Sequence, residues 1–202
     1  MTTIRSICVY CGSSPGNNPV YVEAGRQLGR EIAKAGMRLV YGGGTKGIMG
    51  AVAEGAMSEG GRVTGIIPRF LITKERTASE LDLLDELVTT ADMHERKHIM
   101  FEKSDAFVAL PGGIGTLEEI VEIMTWAQLG RHRKPIVFAN VEGFWKPMLT
   151  LLDHMRAEGF VHTGHLVQPL LIDRPEDLVG AIREAAAAVS DAEGDEDVIE
   201  KL

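Results

Sequence analysis

The amino-acid sequence predicts an α/β protein: a Rossmann-like, doubly wound parallel sheet with helices on both faces, folded as a single domain. Short apolar runs, of the length of buried strands, alternate along the chain with longer segments of helical periodicity. The runs are continuously apolar, which indicates strands that are covered on both sides. Several runs end in glycine-rich loops that lead directly into a helical segment. In such folds, ligands bind at the carboxyl ends of the strands.

The first half of the chain begins with the apolar run Ser6–Tyr10, which is closed by a loop of small residues. The helix predicted over Val20–Ala35 stops at Gly36, a residue suited to a helix C-terminus. The strand Met37–Tyr41 then leads into a second glycine loop. The further elements predicted in this half are a helix ending near Glu59, the strands Arg62–Ile67 and Leu87–Thr90, and the helix Met93–Ser104.

The second half continues the same alternation of strands and helices. Its predicted strands are Phe107–Leu110, Pro135–Ala139 and Leu166–Leu171, and its predicted helices are Leu117–Leu129, Phe144–Glu158 and Pro175–Val189. The segment Arg69–Leu84, which is rich in charge, serine and threonine, interrupts the alternation. We therefore predict that this segment is a lid or a mobile loop.

Length and composition fit one globular domain. A chain of 202 residues with 45% hydrophobic and 25% charged residues is long enough to bury a sizeable core. We expect the domain to span residues 1–189 and the acidic segment 190–202 to form a disordered tail. The formal net charge of −8 argues against nucleic-acid partners, because it provides no overall positive field.

The N-terminus lacks a basic stretch followed by an apolar segment and a cleavage site, and no apolar run approaches the ~18 residues of a membrane span. The sequence therefore predicts a cytoplasmic protein without membrane contact. Cys8 and Cys11 form a Cys-x-x-Cys pattern, which is typical of redox motifs. Residues three apart on a strand point to opposite faces and lie roughly 10 Å apart, beyond the ~7 Å limit for a disulfide. We interpret both cysteines as reduced packing residues.

The segment DAFVALPGGIGTLEE is the centre of the predicted site. An apolar strand ends at a proline and three glycines, and a helical pattern follows at once, so backbone N–H groups and the helix dipole point at one place that suits a phosphate. Gly112, Gly113 and Gly115 leave the backbone open to an anion. The Thr116 hydroxyl either binds phosphate or caps the helix. Capping remains an alternative, because Thr116 to Glu119 also matches a capping box.

The loop GGGTKGIMG at residues 42–50 matches the G-x-G-x-x-G fingerprint of dinucleotide-binding folds. It follows the second strand instead of the first, and the next strand ends in Pro68-Arg69 instead of an acidic residue for the ribose. Since an arginine can serve a 2′-phosphate, an NADP-binding module stays an alternative to a tight structural turn. We reject a zinc site at the His-Glu-x-x-His of residues 94–98, because the two intervening residues are cationic.

Three separated motifs, PGGIGTLEE at residues 111–119, GGGTKGIMG at 42–50 and MHERK at 93–97, resemble the Lonely Guy family. These are the cytokinin-activating phosphoribohydrolases, often labelled lysine decarboxylase-like. The resemblance implies a homodimeric enzyme that hydrolyses N6-modified adenosine 5′-monophosphates to free base and ribose 5-phosphate, without a metal or an organic cofactor. The alternatives are an AMP nucleosidase or salvage hydrolase, and a non-catalytic nucleotide- or NADP-binding module.

The resemblance implies that Arg96 and Glu119 are the catalytic residues. A carboxylate near the ribose stabilises an oxocarbenium-like transition state and can position or deprotonate water, which is the role expected of Glu119. Arg96 would supply positive charge near the leaving base or the phosphate. The substrate-binding residues expected are Ser13, Gly44, Glu80, Lys97, Gly112, Gly113, Gly115, Thr116, Glu118 and Thr125. Ile114 stands where many members of the family carry tyrosine.

A helical wheel for the segment after the loop predicts the dimer contact. The residues placed on its sheet-facing side are Leu117, Ile120, Val121 and Met124, and those placed opposite are Glu119, Ile123 and Trp126. A helix that is apolar on two sides is buried twice, so we expect a second copy to pack against Ile123 and Trp126 about a two-fold axis. The alternative is that Arg131–Lys134 or the C-terminal helix covers this face within one subunit.

Overall fold

The computed structural model describes residues 3–75, 84–161 and 169–199, and from residue 190 it describes the backbone alone. Within these ranges the chain forms one seven-stranded sheet in the order β4-β3-β2-β1-β5-β6-β7, with every neighbouring pair parallel. The strands are β1 Ser6–Tyr10, β2 Arg38–Tyr41, β3 Val63–Pro68, β4 Glu86–Thr90, β5 Ala106–Ala109, β6 Ile136–Ala139 and β7 Leu170–Ile172. The predicted parallel α/β sheet is therefore confirmed. Part of the predicted last strand, residues 166–168, lies outside the described residues.

The helices are α1 Val20–Lys34, α2 Gly47–Ser58, α3 Ile72–Glu75, α4 Met93–Glu102, α5 Ile114–Gln128, α6 Lys146–Ala157 and α7 Leu178–Ile199. The predicted boundary at residue 189 falls inside α7, whose backbone continues to Ile199. The separation of the acidic segment from the domain stays a prediction. Within the predicted lid, residues 69–75 form a short 3-10 turn and α3, and residues 76–83 lie outside the described ranges.

Helices cover both faces of the sheet, as expected for continuously apolar strands. On one face, α1, α2 and α7 bury residues such as Leu28, Val52 and Ile182. On the other face, α4 and α5 bury residues that include Met100, Ile120 and Ile123. No helix in the described part of the chain is long and apolar enough to cross a membrane.

The two cysteines lie on opposite sides of the sheet. Cys8 packs in the α4–α5 core and Cys11 packs in the α1–α2–α7 core, and both thiols are free. Burial raises the pKa of both thiols far above their usual range, so both remain protonated at neutral pH. The interpretation of Cys-x-x-Cys as reduced packing residues is confirmed.

The order of the strands determines where a ligand can bind. The chain winds outward from β1 to β4 and then returns to place β5 beside β1. The loops after β1 and β5 therefore meet at a topological switch point, where open α/β sheets form their ligand crevice. Gly12 N–H donates to Pro111 O at 3.1 Å and ties these two loops together.

Helix α5 begins three residues earlier than the predicted Leu117 and presents different faces. Its N-cap is Gly113 in an extended conformation, so Thr116 is the third helical residue and the capping-box interpretation is wrong. Ile123 is 1% exposed, whereas Leu117 and Val121 are 36% and 38% exposed. The wheel failed because Thr116 and Glu119, which are polar, also point towards the sheet. The apolar residues alone therefore indicated the wrong inward side.

Helix α4 and the segment after α5 both pack against the face predicted to form the dimer contact. Trp126 packs edge-on against Phe101, with ring centroids 4.9 Å apart. His132 Nε2 lies 3.0 Å from Ile123 O, and Lys134 Nζ lies 3.9 Å from the centroid of the Phe101 ring. Ile123 is therefore not available for the predicted dimer contact, because it is buried within one subunit, whereas Trp126 remains partly exposed. For Ile123 the intrasubunit alternative holds.

His132 predicts a pH dependence of stability. Burial lowers the pKa of its imidazole, and the ring suits its neutral form because Nδ1 accepts the Lys134 N–H while Nε2 bonds Ile123 O. An unfolded histidine has a pKa of about 6.5, so on acidification the unfolded chain takes up this proton first. The stabilisation is complete above pH ~6.5 and is lost as the pH falls towards the lower folded pKa.

Urea unfolding at several pH values between about 7.5 and 5 measures this effect. We expect the stability advantage of the wild type over His132→Gln to shrink as the pH falls. His154→Gln, at an exposed position of α6, is the matched control and should keep a constant difference from the wild type. A difference between wild type and His132→Gln that is the same at every pH would contradict the role of this imidazole.

Candidate active site

Arg96 is positioned by the first turn of α4. Asp92 Oδ1 accepts the Glu95 N–H at 2.9 Å, and Glu95 Oε2 accepts the Ala91 N–H at 2.6 Å, a reciprocal cap that fixes the start of the helix. Arg96 follows directly and is only 5% exposed. Its Nη2 donates to Gly42 O at 3.2 Å, so the guanidinium lies against the glycine loop after β2.

Gly42 leaves room for this guanidinium. A Cβ built at Gly42 would collide with Arg96 Nη2 and would come within 3.1 Å of Met49 Sδ. Arg96 Nε is buried and has no hydrogen-bond partner among the described residues. An unpaired buried donor is costly. An anionic or carbonyl-bearing ligand at this edge of the sheet could accept a hydrogen bond from this N–H group.

Glu119 lies on the sheet-facing side of α5 and is 9% exposed. Burial is the main cause that raises the pKa of the Cys8 and Cys11 thiols; the Glu119 charge raises it further, and the Arg96 charge lowers it. Both charged side chains therefore lie within electrostatic range of the same two thiols on β1 and at its end. The charges of the two predicted catalytic residues thus act on the same two positions, in β1 and directly after it.

The start of α5, after the β5 loop, has backbone donors without an acceptor inside the helix. Leu117 N–H is bonded to Gly113 O at 3.0 Å, and the three preceding N–H groups, at the start of α5, have no acceptor within the helix. A Cβ built at Gly113 or Gly115 would meet nothing within 4 Å, whereas one at Gly112 would collide with Thr116 and the Gly12 backbone. Gly112 therefore serves packing, and Gly113 and Gly115 leave an open approach to the helix N-terminus for an anion.

The glycine loop after β2 is closed by the protein itself. A Cβ at Gly47 would come within about 2.5 Å of the Ser13 and Ser14 backbone, and one at Gly50 would collide with Thr45. Gly44 N–H points at Met49 Sδ, 3.2 Å away. These glycines make space for the chain's own backbone, which favours the tight-turn interpretation over close approach of a pyrophosphate.

Lys97 and Glu118, both predicted to bind substrate, contact each other. Lys97 Nζ lies 2.5 Å from Glu118 Oε1 and 3.2 Å from Glu122 Oε2. Sequence reasoning missed Glu122, although its position one turn after Glu118 gave a signal, since residues four apart share a helix face. It also missed Gly42 as the partner of Arg96, a contact between distant segments that no local pattern reveals.

The remaining predicted site residues are not shown to lie beside Arg96 and Glu119. Ser13 is exposed in the loop after β1. Thr125 is exposed on α5, with its hydroxyl bonded to Val121 O at 2.8 Å, and it lies roughly 13 Å along the helix axis from Thr116. Glu80 lies outside the described residues. No cluster of three or more His, Cys, Asp or Glu in the described ranges is arranged to hold a metal ion.

Comparisons with known proteins agree on the family. The sequence model of a family described as "Possible lysine decarboxylase" matches residues 49–182. Over 157 residues the chain is 48% identical to the cytokinin riboside 5′-monophosphate phosphoribohydrolase LOG7 of Arabidopsis thaliana, covering 78% of this chain and 71% of that protein. Over 172 residues it is 45% identical to the probable phosphoribohydrolase LOGL9 of Oryza sativa subsp. japonica, covering 85% and 74% of the two chains.

Solved structures share the fold. A structural-genomics target, TM1055, superposes with a TM-score of 0.69 at 24% identity, covering 90% of this chain and 99% of that one. A molybdenum cofactor carrier protein from Chlamydomonas reinhardtii gives a TM-score of 0.67 at 21% identity, covering 92% and 99%. At these identities the likeness concerns the architecture alone.

The family match and the 45–48% identity to these curated relatives cover most of the chain. The chain belongs to the Lonely Guy (LOG) family of cytokinin riboside 5′-monophosphate phosphoribohydrolases.

Proposed function

We propose that this protein hydrolyses the N-glycosidic bond of N6-modified adenosine 5′-monophosphates and releases the free base and ribose 5-phosphate. One observation carries the proposal: an open helix N-terminus suited to a phosphate and a buried carboxylate, Glu119, belong to the same helix. Glu119 lies roughly 9 Å along the α5 axis from Gly113. The names of the curated relatives describe the same activity.

The reaction follows from the charges at the site. As the C1′–N9 bond breaks, positive charge develops on the ribose, and the Glu119 carboxylate stabilises it electrostatically. The oxygen of a water molecule then bonds to C1′, and Glu119 positions this water or removes its proton. The departing base takes up a proton at N9, where the bond has broken. Arg96 supplies positive charge beside the phosphate or the base. The N–H groups before Leu117 hold the 5′-phosphate, and this remote anchor orients the ribose.

Two alternatives from the sequence fit the site less well. An NADP-binding module would need the loop after β2 to approach a pyrophosphate, yet Gly47 and Gly50 are packed against the chain's own backbone. A non-catalytic nucleotide-binding module would need neither a buried Arg96 nor a buried Glu119. An enzyme uses both residues, Arg96 as a positive charge near the substrate and Glu119 as the catalytic carboxylate.

We further infer a homodimer in the cytoplasm, with the dimer formed through the outer face of α5. Ile114, Leu117 and Val121 are exposed in one stripe on this helix, and burying such a side chain contributes roughly 1.5–3 kcal/mol. Thr125 lies on the same helix, too far from Thr116 to share the phosphate held by its own subunit. A second copy packed on this stripe would bring another Thr125 towards the loop. The net charge of −8 does not favour nucleic acid as a further partner.

The function is tested by incubating the protein with N6-modified and unmodified nucleoside 5′-monophosphates and separating released bases by chromatography. We expect Glu119→Gln to lower the rate by about 10²–10⁴-fold, the usual contribution of a general acid or base, with nucleotide affinity nearly unchanged. Glu184→Gln, on the exposed side of α7, is the control and should keep full activity. A Glu119→Gln protein with a near-normal rate would remove Glu119 from the mechanism.

The proposed phosphate-binding role of the loop after β5 (the phosphate loop, residues 111–116) is tested by Gly113→Ala. The backbone φ of Gly113 is −96° and a Cβ there points into open space, so the fold should tolerate alanine while the methyl group obstructs the bound phosphate. By calorimetry we expect the Kd for the monophosphate to rise about tenfold or more, and the Kd for the nucleoside to change less than about twofold. Gly180→Ala, also facing open space, is the matched control. Equal losses for both ligands would show that the loop does not hold phosphate.

The dimer is tested by Val121→Glu, which places a charge in the exposed stripe of α5. We expect sedimentation to change from dimer to monomer, because burying an unpaired charge is costly, and activity to fall with it. Ala187→Glu, on the exposed side of α7, controls for added charge alone. A wild type that sediments as a monomer at micromolar concentration would exclude the dimer, and a dimeric, active Val121→Glu protein would place the interface elsewhere.

A further inference from the structure

A buried cation joins the two helices that carry Arg96 and Glu119. The Lys97 side chain is 10% exposed, and its ammonium group lies 2.5 Å from Glu118 Oε1 and 3.2 Å from Glu122 Oε2. Glu118 and Glu122 are four residues apart on α5 and would repel each other without this cation. Burial acts to lower the pKa of Lys97, but the hydrogen bond that its ammonium group donates to Glu118 and the ion pair with Glu122 outweigh it and raise the pKa. The ammonium group therefore stays charged at neutral pH.

The chain places this contact directly beside the proposed catalytic groups. Lys97 is the neighbour of Arg96 on α4, and Glu118 is the neighbour of Glu119 on α5. Phe101, one turn beyond Lys97 on α4, packs edge-on against Trp126, one turn beyond Glu122 on α5. The two helices are thus joined by an ionic contact at the end near the site and by an aromatic contact away from it.

The geometry points to Lys97 and Glu122 as positioning residues, which form an ion clamp that sets the separation of Arg96 and Glu119. This inference rests on the proposed function. It gives Glu122 a role that the sequence did not suggest, and it reassigns Lys97 from direct substrate contact to holding α4 against α5. Glu118, whose side chain is 51% exposed, forms the outer part of the clamp.

A clamp makes a different kinetic prediction from a substrate contact. Loss of the clamp misplaces the reacting groups and lowers kcat, while the phosphate loop still binds the nucleotide and keeps KM nearly constant. We expect Glu122→Gln and Lys97→Met each to lower kcat by about tenfold or more, with KM changed less than about threefold. The double variant should be no slower than the slower single variant, because both substitutions break one interaction.

Two further variants separate positioning from general loosening of the fold. Lys97→Arg keeps the charge and should retain most of the wild-type kcat. Trp126→Leu weakens the aromatic contact away from the site, so it should lower the melting temperature while leaving kcat within about twofold of the wild type. A loss of kcat in Trp126→Leu equal to that in Glu122→Gln would overturn the assignment, because any loosening of the two helices would then suffice.

The remaining outcomes are also decisive. If Lys97→Met raises KM more than about tenfold while Glu122→Gln leaves kcat and KM unchanged, Lys97 contacts the substrate and the clamp is overturned. Fully additive losses of kcat in the double variant would overturn it as well. A wild type that releases no base from any nucleotide would overturn the proposed function and the positioning role together. If the wild type is active but the variants give these contrary results, only the positioning role is overturned.

Discussion

A guanidinium that is nearly excluded from water needs both a carbonyl partner and space, and the rest of the site depends on how this chain supplies them. Gly42 provides the carbonyl for Arg96 and, by lacking a side chain, the space. This contact fixes α4 against the loop after β2. Lys97, the next residue, then reaches Glu118 and Glu122 on α5. Three segments that are distant in sequence are thereby held at one edge of the sheet.

Helix α5 carries the proposed phosphate site at its start, the proposed chemistry on its inner side and the proposed dimer contact on its outer side. Its open N-terminus follows Gly113, and the buried Glu119 lies one turn and a half further on. The exposed apolar residues Leu117 and Val121 face away from the sheet. The proposed division accounts for the polar residues Thr116 and Glu119 on an inward face that an average helix would fill with apolar ones.

The same division shows what the sequence could and could not predict. The alternation of strands and helices, and the glycine loops at strand ends, follow local rules of periodicity and turn chemistry, so the parallel sheet and the loop at Gly113 were predictable. The faces of α5 were not, because Thr116 and Glu119 break the rule that apolar residues point inward. The contacts of Arg96 with Gly42 and of Lys97 with Glu122 depend on how the chain folds in space. A single sequence carries no signal for such pairs beyond helical spacing.

The central claim is that a phosphate-anchored nucleotide is cleaved between base and ribose, and the identity of the products tests it most directly. Purified protein is incubated with an N6-modified adenosine 5′-monophosphate and, separately, with the corresponding nucleoside, and the products are identified by mass spectrometry. We predict free base and ribose 5-phosphate in equal amounts from the monophosphate, and far slower cleavage of the nucleoside, because the remote phosphate orients the ribose. Nucleoside and inorganic phosphate as products, or equal cleavage of both compounds, would contradict the account.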